Sequence, residues 1–450
     1  MPETFLYGPP PDPREIHVGL EVIDHPGLYV ACIGLGIGLS ALAAVRRQPE
    51  ALRAWWFCLG QTIMLTSPLA LVFSRDLVYG AYPTIDKAGS LLFYLDGVHQ
   101  RLTFSPIDAL ADPAAQLIGV HVGHLWITAF LDLFVSVNGA FNLQGLLYPA
   151  LGWWCAALLL REVSDSWRVA VLLSFPFGMG LHVFRDLNWY TIEKASVFAL
   201  ALFAWAFLKA AREGGRWRAV AAGVFAGAAF INWYWALVGA AGVAAATLVT
   251  RSRGVLIAGA ACAAALLPLV IWQFALMNSG TPGDPELYLH ERAALDSFSF
   301  IPPHWNRLEL HRSLNIVGLA SAAYAVSTRW RDPLVLTLAG VAGLLLTLAL
   351  GPNLAPAVPN PVYMAIWHVV PGFWRVAKPE VFFEGTYLGI LMLAAIGFQG
   401  RKLTGMLLYP TFVVGWLLMV RSHPVYPEFS AYQDLELSEA WQRAGADEER

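Results

Sequence analysis

The stretch from Gly254 to Phe274, GVLIAGAACAAALLPLVIWQF, contains no charged residue. An α-helix rises about 1.5 Å per residue, so a run of roughly 20 residues matches a hydrocarbon core about 30 Å thick. Two further runs, Gly27 to Val45 and Ala54 to Phe73, have the same character. Each reads as a membrane-spanning helix.

The rest of the chain agrees with these runs. Hydrophobic residues make up 57% of the 450 residues and charged residues 14%, and mean hydropathy is +0.54. A soluble domain usually carries about 25% charged residues, so a water-facing surface of ordinary composition is excluded. Residues 1–26 form an outer N-terminal segment with no apolar core of a cleavable signal. They carry Glu3, Asp12, Glu15, Glu21 and Asp24 against Arg14, so the first span is expected to be retained. Cys32, Cys58, Cys155 and Cys262 all lie in apolar runs, where they act as small hydrophobes. A net charge of −3 gives no reason to expect nucleic acid as a partner.

Six groups of basic residues punctuate the apolar runs: Arg46, Arg47 and Arg53; Arg161 and Arg168; Lys209, Arg212, Arg216 and Arg218; Arg251 and Arg253; Arg329 and Arg331; Arg401 and Lys402. Short loops rich in Lys and Arg are retained in the cytoplasm. Placing all six inside gives an all-α, polytopic transmembrane helical bundle over residues 27–420, with about twelve spans and both termini outside. The first outer loop is 75–140, later outer loops are 275–313 and 351–380, and 421–450 is a polar tail. The pattern predicts a multi-pass protein of a bacterial inner membrane, with the lipid bilayer as its first partner.

Two segments test the parity of this map. His121 to Val137 is apolar, but His121, His124, Thr128 and Asp132 recur at helical spacing, which predicts an interfacial helix on the outer face. Ala219 to Thr250 has basic residues near both ends and is expected to form two short helices meeting near Asn232 and Trp233. Trp55, Trp56, Trp167, Trp189, Trp217, Trp330 and Trp416 lie near the expected helix ends, where indoles anchor at the headgroup boundary.

The extended polar segments fall on the outer side. The first outer loop holds Asp86, Lys87, Asp96, Arg101, Asp108 and Asp112. A carboxylate there can serve as general base toward an acceptor hydroxyl while a cation neutralises a phosphate leaving group. The plainer alternative is a solvated acid or a helix cap. Asp186, Asn188, Trp189 and Glu193 form a second polar group, read either as a cleft wall or as an interfacial turn. Arg375, Lys378, Glu380 and Glu384 form a third, and Glu384 lies several residues inside an apolar run. An ionisable residue at such a depth marks a functional site by default. His121, His124 and Asp132 spread over three turns of one helix and do not converge as metal ligands. No metal site is expected and no cofactor is implied, although use of a divalent cation is left open.

In collinear order, several segments resemble the bacterial GT-C superfamily of membrane glycosyltransferases and their YfhO-like and PMT-like polytopic relatives. They are the outer loop with Asp86, the Asp112-Pro113 element, Ala140-Phe141-Asn142-Leu143, Leu187-Asn188-Trp189, and Phe373-Trp374-Arg375 through Phe398. The last is similar to the family's Phe-Arg-x-Pro-x-Arg-Phe motif before a late span, with Lys378 near its second arginine. The resemblance implies a GT-C-like fold, a polyprenyl-phosphate-linked sugar as donor, and a lipid, glycan or protein acceptor outside the cytoplasm. It also implies a catalytic acid at Asp86, for which Asp96 is the substitute. Donor phosphate binding falls to Arg375, with Lys378, Arg101 and Lys87 nearby in sequence or loop, and Asp186, Asn188, Trp189, Glu193 and Glu384 line the cleft. Two rival expectations stand beside this one: a transporter or flippase of a lipid-linked substrate, and a non-catalytic membrane assembly protein of the same fold.

Overall fold

The computed structural model describes residues 26–45, 47–65, 77–80, 127, 130–131, 133–134, 137–180, 183, 195–213, 215–218, 220–221, 223–224, 233–251, 253–279, 316–355, 358–370, 373, 379–400 and 430–433. Over these residues the chain is 84% helical, and the fold is all-α apart from two short ribbons. The helices are α1 (Pro26–Leu42), α2 (Glu50–Leu65), α3 (Val137–Arg161), α4 (Trp167–Gly178), α5 (Val197–Glu213), α6 (Trp233–Thr250), α7 (Arg253–Ser279), α8 (Ile316–Arg329), α9 (Pro333–Ala349), α10 (Pro361–Val369) and α11 (Phe382–Gly397). Strand β1 (Leu77–Gly80) pairs antiparallel with β4 (Ser430–Gln433), and β2 (Asn353–Ala355) with β3 (Val358–Pro359).

Sequence explains several of the boundaries. Asp332 caps α9 by accepting from the Leu334 amide at 2.9 Å, with Pro333 at the first helical position. Asn360 caps α10 through Tyr363 N at 3.2 Å, and its own amide donates to Thr347 O (2.6 Å) and Gly351 O (2.8 Å). One buried side chain therefore starts α10 and closes the end of α9. Helix α2 begins at Glu50, before the apolar run from Ala54. An acid in the first turn complements the positive end of the helix.

Close backbone approach sets the hairpins. In α1 and α2, Gly36 faces Gly60: a Cβ on Gly60 would lie 2.6 Å from Gly36 O and 2.8 Å from Ser40 N. In α3 and α4, a Cβ on Gly178 would lie 2.5 Å from Pro149 O and 2.6 Å from Trp153 Cα. The Trp153 indole reaches across the same hairpin to donate to Val171 O at 2.7 Å. Small residues that let backbones touch are the usual cement between helices in lipid.

The basic residues gather at one end of the bundle. The α3–α4 turn is the hub. Glu162 pairs with Lys209 at 3.2 Å and accepts from Trp205 Nε1 at 3.2 Å, and its carbonyl accepts from Arg212 at 3.0 Å. Val163 O accepts from Gln399 at 2.7 Å, Asp165 accepts from Gly400 N at 3.1 Å, and Arg329 donates to Gln399. The ends of α5, α8 and α11 thus meet the α3–α4 turn. Gly242 abuts Val341, Gly340 abuts Val249, and Gly385 abuts both Val238 and Leu345. Helix α6 therefore runs antiparallel to α9, and Arg251 comes to the same end. Arg53 closes the α1–α2 turn on Ala43 O at 2.8 Å, and Trp154 Nε1 donates to Ala51 O at 2.9 Å, which adds that turn as well.

Among the described helices, α1, α3, α5, α6, α8 and α11 thus run toward the basic end, and α2, α4, α7 and α9 run away from it. Of the two helices expected in Ala219 to Thr250, residues 220–221 and 223–224 are helical and α6 forms from Trp233, while Asn232, where they were expected to meet, lies outside the described residues. Ile127, Phe130 and Leu131 are helical, the chain turns at Leu133 and Phe134, and α3 starts afresh at Val137. Most of the interfacial helix expected over His121 to Val137 lies outside the described residues. Gly400 lies at the basic end, whereas Ser430 belongs to the ribbon with β1, which packs on α3.

Among the described residues one helix, Leu143–Arg161 within α3, is long and apolar enough by itself to cross a membrane. Shorter apolar helices include Val30–Leu42, Tyr234–Thr250, Pro333–Ala349 and Phe382–Gly397. Outward-facing side chains on the peripheral helices are themselves apolar: Val30, Leu35 and Ile37 on α1, and Leu256, Leu267 and Ile271 on α7, are all exposed. The four cysteines are free and buried.

Candidate functional site

Among the described residues, Glu384 is the most deeply buried charged side chain. It occupies the first turn of α11 and is 1% exposed. Fifteen residues separate it from Gln399 at the basic end, about 22 Å along the helix axis. It therefore lies well inside the bundle, toward the opposite end. Val381, at the N-cap position, contributes no side-chain cap to α11. The N-terminal end of a helix carries positive character, which favours a carboxylate there.

Aromatic side chains surround this level. Tyr387 follows Glu384 by three residues, on the same helix face. Its ring meets Phe177 of α4 edge-on at 6.1 Å and Phe383 at 6.3 Å. Phe382 contacts Phe373 at 6.0 Å, and Phe373 contacts Tyr363 of α10 at 5.2 Å. On the adjoining face, Thr386 Oγ1 donates to Ala342 O of α9 at 3.3 Å. Pro379–Val381 forms a single 3-10 turn leading into α11. This end of the bundle is thus an aromatic shelf, and Glu384 is the carboxylate set in it among the described side chains.

Two further buried polar pairs stand in the same half. Tyr148 donates to Gln144 Oε1 at 3.1 Å within α3, and Trp235 Nε1 donates to Ser196 Oγ at 3.0 Å between α6 and the start of α5. Sequence reading had not singled these out. Gln144 stands two residues after Asn142 at the head of the apolar stretch of α3, and a tyrosine four residues on is the available signal. Tyr387 was legible in the same way, from its spacing to Glu384. Phe177 was not, because its contact depends on how α4 meets α11.

Of the residues expected to act, Glu384 lies within the described structure. Asp86, Lys87, Asp96 and Arg101 of the first outer loop lie outside the described residues, as do Asp186, Asn188, Trp189 and Glu193, and Arg375 and Lys378. In sequence, Arg375 and Lys378 fall between two buried residues of the shelf, Phe373 and Pro379. Among the described residues no three His, Cys, Asp or Glu side chains group as metal ligands. Compared with known proteins, the chain matches no protein family, no curated protein and no solved structure.

Proposed function

We propose that the chain is a multi-pass protein of a bacterial cytoplasmic membrane, with about twelve spans in a GT-C-like bundle. In this reading it transfers a sugar from a polyprenyl-phosphate donor to a lipid, glycan or protein acceptor outside the cytoplasm. The observation that supports it most is the two-ended layout of charge. The described basic turns gather at one end, while the buried Glu384 and the far ends of α2 and α9 lie toward the other. Basic turns on the cytoplasmic side orient the aromatic shelf outward. The exposed apolar side chains of α1 and α7 suit lipid contact, since soluble monomers rarely present large apolar patches.

In the proposed step the acceptor hydroxyl attacks the anomeric carbon and inverts it. The bond from that carbon to the phosphate oxygen breaks, Asp86 takes the hydroxyl proton, and polyprenyl phosphate leaves. Asp96 is the substitute base. Arg375, aided by Lys378, Arg101 and Lys87, neutralises the charge that develops on the leaving phosphate, as charge-assisted pairs do most effectively. Asp186, Asn188, Trp189, Glu193 and Glu384 shape the cleft that receives the sugar.

The reading is tested with purified protein in lipid vesicles, supplied with radiolabelled polyprenyl-phosphate sugars and a membrane-extract acceptor. Wild-type protein is expected to release polyprenyl phosphate. Arg375→Ala is expected to raise the donor KM by roughly tenfold or more, the loss of one charged hydrogen bond. A folded Arg375→Ala protein with unchanged donor KM would remove Arg375 from the mechanism. Failure of the wild type to consume any lipid-linked sugar would favour the assembly-protein reading.

A further inference from the structure

The basic end carries a site that sugar transfer does not use. Lys209, Arg212, Arg216 and Arg218 fall within ten residues, where α5 ends and the chain reverses through Gly215, whose φ is +56°. Glu162 is the carboxylate that meets this group, and Lys209 occupies it at 3.2 Å. Arg212 is turned to a backbone carbonyl, Glu162 O, at 3.0 Å. Arg216 lies over the Trp217 ring at 5.9 Å, and Trp217 meets Trp205 edge-on at 5.8 Å. Among the described side chains, Lys209 with Glu162 is the ion pair of this group.

Two donors in the same group have nothing to bond. Trp217 Nε1 and Arg218 Nε are buried and find no acceptor among the described residues. Buried donors are nearly always satisfied in folded proteins. Both donors call for an acceptor, and the guanidinium groups of Arg212, Arg216 and Arg218 beside them favour a negative one. Two indoles beside it give the site an apolar flank at the level where a headgroup meets the acyl chains.

We propose that Arg212, Arg216, Trp217 and Arg218 bind the phosphate of an anionic phospholipid at the basic end of the bundle. Clusters of four or more Lys and Arg just beyond a span recognise anionic headgroups by the same chemistry. This site rests on the membrane reading but is independent of catalysis. Recovery of the chain in carbonate-washed membranes tests that reading by itself.

The site is tested on detergent-purified full-length protein by native mass spectrometry, with phosphatidylglycerol competing against phosphatidylcholine. Wild type is expected to retain phosphatidylglycerol preferentially. Arg216→Gln/Arg218→Gln is expected to lose about 30-fold of that preference, at the usual worth of two surface arginines. Its thermal midpoint in zwitterionic detergent should stay unchanged. Should the double variant not fold, Arg216→Gln alone, whose side chain is exposed, is expected to lose about fivefold. A variant that keeps the wild-type preference overturns the proposal, and so does equal retention of both lipids by a membrane-integrated wild type. If millimolar inorganic phosphate protects the protein from unfolding as well as phosphatidylglycerol does, the ligand is a soluble phosphate and the lipid assignment fails.

Discussion

Asp86→Asn is expected to reduce sugar transfer by about 10² to 10⁴ while leaving expression and thermal stability near wild type. The change removes the charge and the proton acceptor but hardly alters volume. Asp96→Asn serves as the internal comparison, because it stands ten residues on in the same outer loop. Loss at Asp86 alone assigns the base there, and loss at Asp96 alone moves it. If both variants transfer sugar at the wild-type rate, neither Asp86 nor Asp96 is the base, and the mechanism proposed for them is wrong. The split from Arg375→Ala is informative, since a base variant lowers kcat whereas a phosphate-binding variant raises the donor KM.

Gly178→Val is expected to have the largest effect on folding. Helices α3 and α4 touch here through backbone atoms: Pro149 O and Trp153 Cα stand 2.5 and 2.6 Å from where a Cβ would go. Backbone cannot move aside as a side-chain tip can. The cost should exceed the roughly 1 to 3 kcal/mol of ordinary overpacking. The α3–α4 turn also holds Lys209, Arg212, Gln399 and Gly400, so separating the hairpin loosens α5 and α11 too. Gly343→Ala is the control, because nothing lies within 4 Å of its added Cβ. It should be neutral or stabilising by up to about 1 kcal/mol from helix propensity. Thermal unfolding of the two purified variants reads the contrast, and a Gly178→Val protein as stable as wild type would refute the packing described.

What the sequence disclosed follows from how locally each feature is encoded. Helices α1 and α7 match the runs from Gly27 and Gly254 because an apolar run and its flanking charges sit side by side in the chain. The gathering of the basic turns was legible for the same reason, since a short loop between two antiparallel helices returns to one end. Glu384 was legible as a lone acid in an apolar run, and its depth follows from its distance to Gln399. Contacts that join distant segments left no such trace. The Gly178 approach depends on Pro149 and Trp153 presenting bare backbone to α4. The tether from Asn360 to Thr347 and Gly351 depends on where α9 ends. The pairing of Tyr79 with Ala431 links the first outer loop to the polar tail through strands too short to show a period.

The central claim is that the basic end of the bundle faces the cytoplasm and the shelf around Glu384 faces outward. Single cysteines at Gln48, in the α1–α2 turn, and at Pro285, which follows α7 in sequence, test it on intact cells with a membrane-impermeant thiol reagent. The native Cys32, Cys58, Cys155 and Cys262 are buried and should stay unlabelled. Labelling from outside is expected at Pro285→Cys and not at Gln48→Cys until the cells are opened. Labelling of Gln48→Cys on intact cells, with Pro285→Cys protected, would put the basic turns outside and contradict the account.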